Sequence, residues 1–519
     1  MTPAILAYFV AMSVAALLTP LLVYFAHWVK LVDAPDARKI HTTPIPRIGG
    51  VAILVGTAGG IVAAILLSPG ADFWPQRARF AALGLGAAAV FLVGFLDDLW
   101  GLSAKLKLAS LIGAALLLCQ SGIRLEVLSL GSLGTLHLGA FAWPVTILWV
   151  VGVSVAINFI DGLDGLAGGI SAVACGALTL VAATTGQPLL VIVCMGLLAS
   201  LTAFLFFNMH PARIFMGDGG SMFLGFSIAG ASVMATAKAP VMGLALPAVA
   251  LGIPLLDAVL TFVRRGVVER RSIFAAERGH IHHRLMDAGI PHRHAVLVLH
   301  GVTLVGTLIA SALFLFASPA VAGVMTLVII ALLLGLFHFA GCLNLSQVLA
   351  AVRRNRAMSR DQRRCRIDFE ASQLRLRNAQ SFDEWWKALG DAAGLLGFAS
   401  LTLRASDRTG GIQLHRWISR IVGSAPAQTL CAEIPVPQRR AAGVARALIE
   451  VPAAGALESA AVRIKLFSRL IDEHNLASIA GGQGSRDAAG SPAAANRVRP
   501  KPLRLRDVLA AGEPIEQLG

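Results

Sequence analysis

Charged residues are scarce in this sequence of 519 amino acids. Only 14% of its residues are charged and 56% are hydrophobic, whereas a soluble protein has about 25% charged residues. The shortage lies between Met1 and about Asn344, a region of long apolar runs, while the chain from about Ser346 onward has a soluble composition. The sequence therefore excludes a wholly soluble protein and predicts a membrane domain followed by a soluble region.

Cysteines are few as well, and the six present lack the spacing of a metal site or a disulfide framework, so we interpret them as structural thiols. The N-terminal segment lacks the basic start and the cleavage site of a signal peptide, so we expect a first membrane helix that is retained. The net charge of +15 is common in membrane proteins with basic cytoplasmic loops. We therefore predict no nucleic-acid partner.

About eleven apolar segments approach the length of roughly 20 residues that crosses a bilayer. They lie near 3–26, 48–68, 80–96, 106–121, 142–159, 166–184, 188–206, 220–237, 241–262, 297–317 and 320–343. Basic residues concentrate in the loops after odd-numbered segments, which predicts an outside N-terminus and a cytoplasmic C-terminus. The expected fold is an all-α polytopic membrane protein with a small C-terminal α+β cytoplasmic domain.

The domain boundaries follow from composition. We expect a transmembrane domain at 1–344, a basic juxtamembrane segment at 345–380, a soluble α+β domain at 381–480 and a disordered tail at 481–519. The soluble domain, for which a GAF-like fold is one interpretation, has helical patterns at 381–396 and 457–478. Its strand-like runs lie near 398–404, 411–418, 428–434 and 444–451. A further hairpin is expected at 124–139, where apolar and polar residues alternate around Gly and Ser.

Acidic and histidine side chains of the apolar region fall at the predicted cytoplasmic ends of helices. They follow the third, fifth, seventh and ninth segments, and distant parts of the chain thus reach one face. We expect them to form a single site, whose members are Asp97, Asp98, Asp161, Asp164, Asp218, His280, His282 and His283.

These residue types suit chemistry on phosphates. Phosphoryl transfer needs a divalent metal and groups that position the nucleophile, and carboxylate and amide oxygens suit Mg²⁺ or Mn²⁺. Candidate ligands are Asp97, Asp98, Asp218, Asn158 and Asn208. Glycines around Asp218 precede a helix, so we expect free N–H groups there to bind a diphosphate. The histidines and Arg278 add donors for phosphate oxygens.

Each feature alone has a simpler explanation. Paired aspartates at a helix end can be a solvated border, aspartates in Gly-rich turns can be turn formers, and a histidine run can be a solvated loop. A transporter is a second class, but it predicts ionisable residues near the middle of the membrane and paired broken helices. A membrane-anchored regulatory protein is a third class, and it leaves the motifs unexplained.

Five motifs carry a resemblance to a known family. They are DAPDARKIHTTPIPRIGG (33–50), GFLDDLWGL (94–102), NFIDGLDGLAGG (158–169), FNMHPARIFMGDGGS (207–221) and RGHIHHRL (278–285). The chain resembles the polyprenyl-phosphate N-acetylhexosamine-1-phosphate transferases, the WecA, TagO and MraY group, over roughly residues 1–344. Arg284 and Leu285 after the histidines are similar to the WecA/TagO branch, which favours UDP-N-acetylglucosamine over the muramyl-pentapeptide nucleotide as donor.

The resemblance implies a bacterial inner-membrane enzyme with about ten or eleven helices around a cytoplasm-facing cleft. A polyprenyl phosphate would attack the β-phosphate of a UDP-sugar, release UMP and start a lipid-linked cell-envelope glycan. Asp218 and Asn158 would hold Mg²⁺ or Mn²⁺, and Asp97, with Asp98 as its partner, would orient or deprotonate the lipid phosphate. The substrate-binding positions would be Asn158, Asp161, Asp164, Asn208, Lys107, Arg278, His280, His282 and His283. A homodimer stays an open alternative.

Overall fold

The computed structural model describes most of the chain. The described residues are 2–29, 31–33, 44–67, 76–129, 135–237, 242–269, 279–317, 319–342, 345–406, 412–419, 429–436, 445–452 and 457–474. They fall in two compact units, Met1–Arg353 and Arg354–Gly519. The predicted tail at 481–519 and the site residue Arg278 lie outside the described residues.

The first unit is built of helices. They are α1 (Thr2–Trp28), α2 (Gly50–Leu66), α3 (Arg77–Trp100), α4 (Ala104–Gln120), α5 (Ala142–Ile160), α6 (Leu166–Thr184), α7 (Pro188–Asn208), α8 (Gly217–Thr236), α9 (Met242–Ala250), α10 (Gly252–Val263), α11 (Ile281–Asp287), α12 (His292–Phe316) and α13 (Pro319–Phe339). Two short antiparallel pairs accompany them: β1 (Val32–Asp33) with β2 (Ile45–Pro46), and β3 (Val127–Ser129) with β4 (Thr135–His137). The second pair confirms the predicted hairpin.

Seven helices in the described part of the chain are long and apolar enough to cross a membrane, and the chain is therefore a multi-pass membrane protein. An eighth span results if α9 and α10, which meet at an angle of 76°, count as one broken span. Two shorter apolar helices are Gly50–Leu66 and Leu327–Phe339. A helix lies in every predicted segment, but the count of eleven spans stays a prediction because several helices are short or bent. The orientation of the N-terminus stays a prediction as well.

Helix α8 forms the centre of the first unit. Every one of its residues except Asp218 is buried, and α3 and α5 pack along it. The approach to α5 is close because Gly225 has no side chain: a Cβ atom there would lie 2.5 Å from the Cα atom of Ser154. Small residues at helix interfaces allow such contact between backbones within a membrane. The core thus fixes the position of the α8 N-terminus, where Asp218 lies.

The second unit is a small α+β domain. Strands β5 (Ser400–Ser406), β6 (Ile412–Ile418), β7 (Thr429–Val436) and β8 (Ala445–Pro452) form an antiparallel sheet in the order β6-β5-β8-β7. Helices α14 (Leu345–Arg377), α15 (Phe382–Leu395) and α16 (Leu457–Glu473) complete the described elements. These positions confirm the four predicted strands and both predicted helices. The predicted basic segment at 345–380 is helical over the 33 residues of α14.

The alternation of inward-pointing and outward-pointing side chains along the strands explains the core of this domain. Ala445, Ala447, Ile449 and Val451 of β8 point inward, and they pack with the fully buried Trp385 of α15. Helix α15 begins at Phe382 because the Oγ atom of Ser381 accepts a hydrogen bond from the N–H of Glu384 at 3.2 Å.

Candidate active site

Asp98 binds the first turn of α8. Its Oδ1 atom accepts a hydrogen bond from the N–H of Asp218 at 3.0 Å, and its Oδ2 atom accepts one from the N–H of Gly219 at 3.1 Å. A carboxylate at a helix N-terminus is stabilised by the helix dipole and by these otherwise unpaired donors. The prediction that these two N–H groups are free to bind a diphosphate is therefore wrong, because Asp98 occupies them.

Glycines bring the segment before α2 against the start of α8. The N–H groups of Gly49 and Gly50 donate to the carbonyl oxygens of Phe215 and Met216, both at 2.9 Å. A Cβ atom on Gly50 would lie 2.5 Å from the Cα atom of Gly220. The glycines of these two motifs therefore serve close packing of backbones, which holds the turn that carries Asp218.

Lys107 joins two carboxylates that come from different helices. Its Nζ atom lies 2.8 Å from Oδ2 of Asp97 at the end of α3 and 2.7 Å from Oδ2 of Asp218. Helix α4 begins after Ser103, whose Oγ atom accepts a hydrogen bond from the N–H of Leu106, so Lys107 lies in its first turn. The lysine offsets the repulsion between two adjacent carboxylates.

Asn158 completes this group from the end of α5. Its Nδ2 atom donates to Oδ1 of Asp218 at 3.2 Å and to Oγ of Ser221 at 2.9 Å. We call Asp97, Lys107, Asn158 and Asp218 the Asp218 cluster. The Asp218 side chain is 32% exposed, so its oxygens are open to a ligand. Carboxylate oxygens next to an amide side chain, in a group where a cation already pairs with two carboxylates, fit a divalent ion such as Mg²⁺.

Asp161 faces the same cluster from the loop after α5. It has no hydrogen-bond partner among the residues that the structure describes. Burial, followed by the negative charges of Asp218 and Asp98, raises the pKa of Asp161 to about 8. A cation bound in the cluster would favour the ionised form of this carboxyl group.

Asp164 lies in a separate group with two histidines. Its Oδ2 atom lies 2.8 Å from Nδ1 of His210 and accepts a hydrogen bond from the N–H of Ala212 at 3.1 Å, and its own N–H donates to Nε2 of His292 at 3.2 Å. One ligand atom from each of the three side chains lies within 4.8 Å of the others. Two imidazoles and a carboxylate suit a transition metal better than Mg²⁺. Here the Asp164 carboxylate binds His210 and the Asp164 N–H binds His292, so the group joins three segments of the chain.

Asn208 joins the same segments from within. Its Oδ1 atom accepts from the N–H of Gly165 at 3.1 Å, and its Nδ2 atom donates to the carbonyl of Ile214 at 2.8 Å. The residue is only 3% exposed. Because its amide group is buried and bound to backbone at both ends, Asn208 holds the loops in place in this structure, and its role toward a substrate or a metal stays a prediction.

The three histidines of the RGHIHHRL motif have different surroundings. His280 precedes α11 and binds a carboxylate through Nδ1, whereas His282 is only 1% exposed and packs against Gly162. Burial, followed by the positive charges of His283 and His280, lowers the pKa of His282 well below its usual value. His282 is therefore neutral and part of the packing, and His280 and His283, which are partly exposed, remain candidates for binding substrate.

The partner of His280 is Asp257, which sequence reasoning missed. Asp257 lies in α10 and is 3% exposed, its Oδ2 atom lies 2.7 Å from Nδ1 of His280, and its Oδ1 atom accepts from the N–H of Ile281 at 2.9 Å. The sequence contained a signal for Asp257, because it lies within the apolar segment 241–262. A carboxylate there costs free energy, which makes it a candidate functional residue.

Comparisons with known proteins found a matching family model and similar relatives. The family model of glycosyl transferase family 4 matches residues 80–236. The chain is 36% identical over 298 residues to a probable undecaprenyl-phosphate N-acetylglucosaminyl 1-phosphate transferase of Bacillus subtilis, which covers 57% of this chain and 81% of that protein. It is 32% identical over 334 residues to a decaprenyl-phosphate N-acetylglucosaminephosphotransferase of Mycobacterium tuberculosis, with 57% and 81% covered. It is 31% identical over 314 residues to an undecaprenyl-phosphate alpha-N-acetylglucosaminyl 1-phosphate transferase of Escherichia coli, with 57% and 80% covered.

Proposed function

The chain belongs to glycosyl transferase family 4, in the group of the polyprenyl-phosphate N-acetylglucosamine-1-phosphate transferases, and from that premise we propose its reaction. It transfers N-acetylglucosamine 1-phosphate from UDP-N-acetylglucosamine to a polyprenyl phosphate and releases UMP. The observation that carries the proposal is the Asp218 cluster, where the ends of α3 and α5 and the starts of α4 and α8 bring carboxylate, amide and ammonium groups together.

The reaction joins an oxygen of the lipid phosphate to the β-phosphorus of the donor and breaks the bond between that phosphorus and the oxygen of UMP. Asp218 and Asn158 would hold a divalent cation, Mg²⁺ or Mn²⁺, through oxygen atoms. When bound, the cation supplies positive charge to the diphosphate oxygens, whose charge grows as UMP leaves. The cluster without a cation can accept this added positive charge because its two carboxylates, Asp97 and Asp218, pair with a single lysine.

Asp97 orients the lipid phosphate in this proposal, and Lys107 fixes the position of Asp97. The ammonium group lies between Asp97 and Asp218, so it also offers a donor to a phosphate oxygen that enters the cluster. Asp98 acts through α8, because its bonds to the backbone of Asp218 and Gly219 set the position of the Asp218 carboxylate. Asp161 and the histidines His280 and His283 line the approach of the donor.

The enzyme works at the cytoplasmic face of a bacterial inner membrane in this proposal. Basic residues in the loops after odd-numbered predicted spans support an outside N-terminus and a cytoplasmic C-terminus across eleven spans. The helix ends that carry Asp97, Asn158 and the start of α8 then share the cytoplasmic side. The domain after about residue 345 is an addition to a complete catalyst.

The test is a donor assay on the full chain in detergent or vesicles. UMP release from UDP-N-acetylglucosamine should require both undecaprenyl phosphate and Mg²⁺ or Mn²⁺, and a lipid-linked N-acetylglucosamine diphosphate should form in equal amount. UMP release without the lipid, or release from a muramyl-pentapeptide nucleotide alone, would contradict the proposal.

A further inference from the structure

Asp257 and His280 form a buried hydrogen-bonded pair beside the candidate site. The two side chains come from separate segments, α10 and the residue before α11, and only 12% of His280 and 3% of Asp257 is exposed. Burying a carboxylate is costly unless it is hydrogen-bonded. Both Asp257 oxygens are used, one by Nδ1 of His280 and one by the N–H of Ile281.

We propose that Asp257 is a positioning residue that fixes the tautomer of His280, so that Nε2 is presented as a hydrogen-bond acceptor to a hydroxyl or N–H group on the sugar of the nucleotide-sugar donor. A carboxylate can only accept a hydrogen bond, so Nδ1 must carry the proton that faces Asp257. The second ring nitrogen, Nε2, has no hydrogen-bond partner within the described ranges. It is therefore the atom left for a ligand.

The ring is held by packing as well as by this bond. His280 lies 5.5 Å from the ring of Phe159 and is parallel to the ring of His282 at 5.7 Å, measured between ring centroids. Phe159 follows Asn158 of the Asp218 cluster, so the packing joins His280 to the helix end that carries this cluster. With the proton on Nδ1 held by Asp257, Nε2 keeps its lone pair and can accept a hydrogen bond from the donor sugar.

Asp257→Asn separates this role from a structural one. The remaining carbonyl oxygen of the amide can still accept from the N–H of Ile281, so the start of α11 is retained. The NH₂ group then faces Nδ1 of His280 and can only donate, which forces the proton to Nε2 and removes the negative charge. The inference rests on the proposed function for its kinetic effect but not for the tautomer itself.

The experiment has a kinetic arm. Asp257→Asn should lower kcat/KM for UDP-N-acetylglucosamine about 10- to 100-fold, the usual loss when the carboxylate behind a functional histidine is removed. In the His280→Ala enzyme the same change should add at most about a threefold loss, because the two residues act as one unit. Thr261→Val, a buried and nearly isosteric change one turn along α10, is the control and should leave kinetics near those of the unchanged chain. A full additional loss in the His280→Ala background would overturn the proposal.

The second arm measures the tautomer directly. Long-range ¹H–¹⁵N spectra of the full chain with ¹⁵N-labelled histidine, assigned with His280→Gln, should show the proton of His280 on Nδ1, and in Asp257→Asn on Nε2. A proton on Nε2 of neutral His280 in the unchanged chain would overturn the proposal. If the unchanged chain releases no UMP, the proposed function fails, and the spectra still decide whether Asp257 sets the tautomer.

Discussion

Replacing Asp218 by asparagine separates charge from packing at the centre of the site. Asparagine keeps the size of the side chain and one carbonyl oxygen, but it removes the negative charge that would bind a divalent cation. The structure predicts that the protein tolerates this change. The Asp218–Lys107 pair is partly exposed, with 32% and 25% of the side chains accessible, and such pairs contribute about 0–1 kcal/mol. Lys107 also keeps Asp97 as a partner at 2.8 Å.

Activity should respond far more strongly than stability. Loss of one metal ligand, and of the charge stabilisation that the metal gives the transition state, costs about 3–4 kcal/mol, or roughly 150- to 900-fold in rate. The assay is UMP release at increasing Mg²⁺, together with thermal unfolding in detergent. The Mg²⁺ concentration for half-maximal activity should rise as well. A retained unfolding temperature with a large loss of rate is the expected pattern.

Ser221→Ala is the matched control for the hydrogen-bond network. It removes the second acceptor of Asn158 but leaves the Asp218 carboxylate intact, and the loss of a neutral hydrogen bond costs about 0.5–1.5 kcal/mol, or at most roughly tenfold in rate. Near-normal turnover of Asp218→Asn at ordinary Mg²⁺ would refute the metal assignment. Asp97 and Asp161 would then be the remaining candidates, because both oxygens of Asp98 bind backbone.

Three further changes test other parts of the site. Asp98→Ala removes the acceptor at the start of α8, so the free energy of unfolding should fall by about 1–2 kcal/mol and activity should fall with it; unchanged thermal unfolding would contradict the cap. Gly162→Ala places a Cβ atom 2.7 Å from Nε2 of His282, which should lower donor kcat/KM in a folded protein, whereas Gly176→Ala, with no atom within 4 Å of the new Cβ, should not. A chain that ends after Arg353 should retain UMP release in vesicles, and a stable but inactive product would make the second unit part of the catalyst.

The helices and the convergence of the site could be predicted because both follow from regular spacing. Apolar segments of membrane length define where helices lie, and consecutive spans alternate direction, so Asp97 and Asn158 must lie on one side together with the start of α8. Strand alternation in 445–452 likewise fixes which residues of β8 point inward. These patterns need no knowledge of which helix contacts which.

The partners of individual side chains could not be predicted because they depend on which helices touch. The pair Asp97 and Asp98 reads as two equal carboxylates, yet one binds Lys107 and the other binds the backbone of α8. Gly219 reads as part of a phosphate loop, but its missing side chain serves contact with α3: a Cβ atom on Gly219 would lie 3.0 Å from the backbone nitrogen of Phe95. A Gly-rich turn that binds a phosphate and one that packs against another backbone can have the same sequence before a helix. Only the neighbouring helix distinguishes the two roles.

The position of Asp98 also explains why the cluster can hold a cation at the start of a helix, a place that favours anions. The positive end of α8 would weaken cation binding by the carboxylate of Asp218, which lies in its first turn. Asp98 accepts the N–H groups of Asp218 and Gly219 and so offsets that positive end with a full negative charge. The Asp218 carboxylate would then keep its affinity for a cation, and in the proposed mechanism the second aspartate of the pair would act on the metal through the helix and not as a ligand.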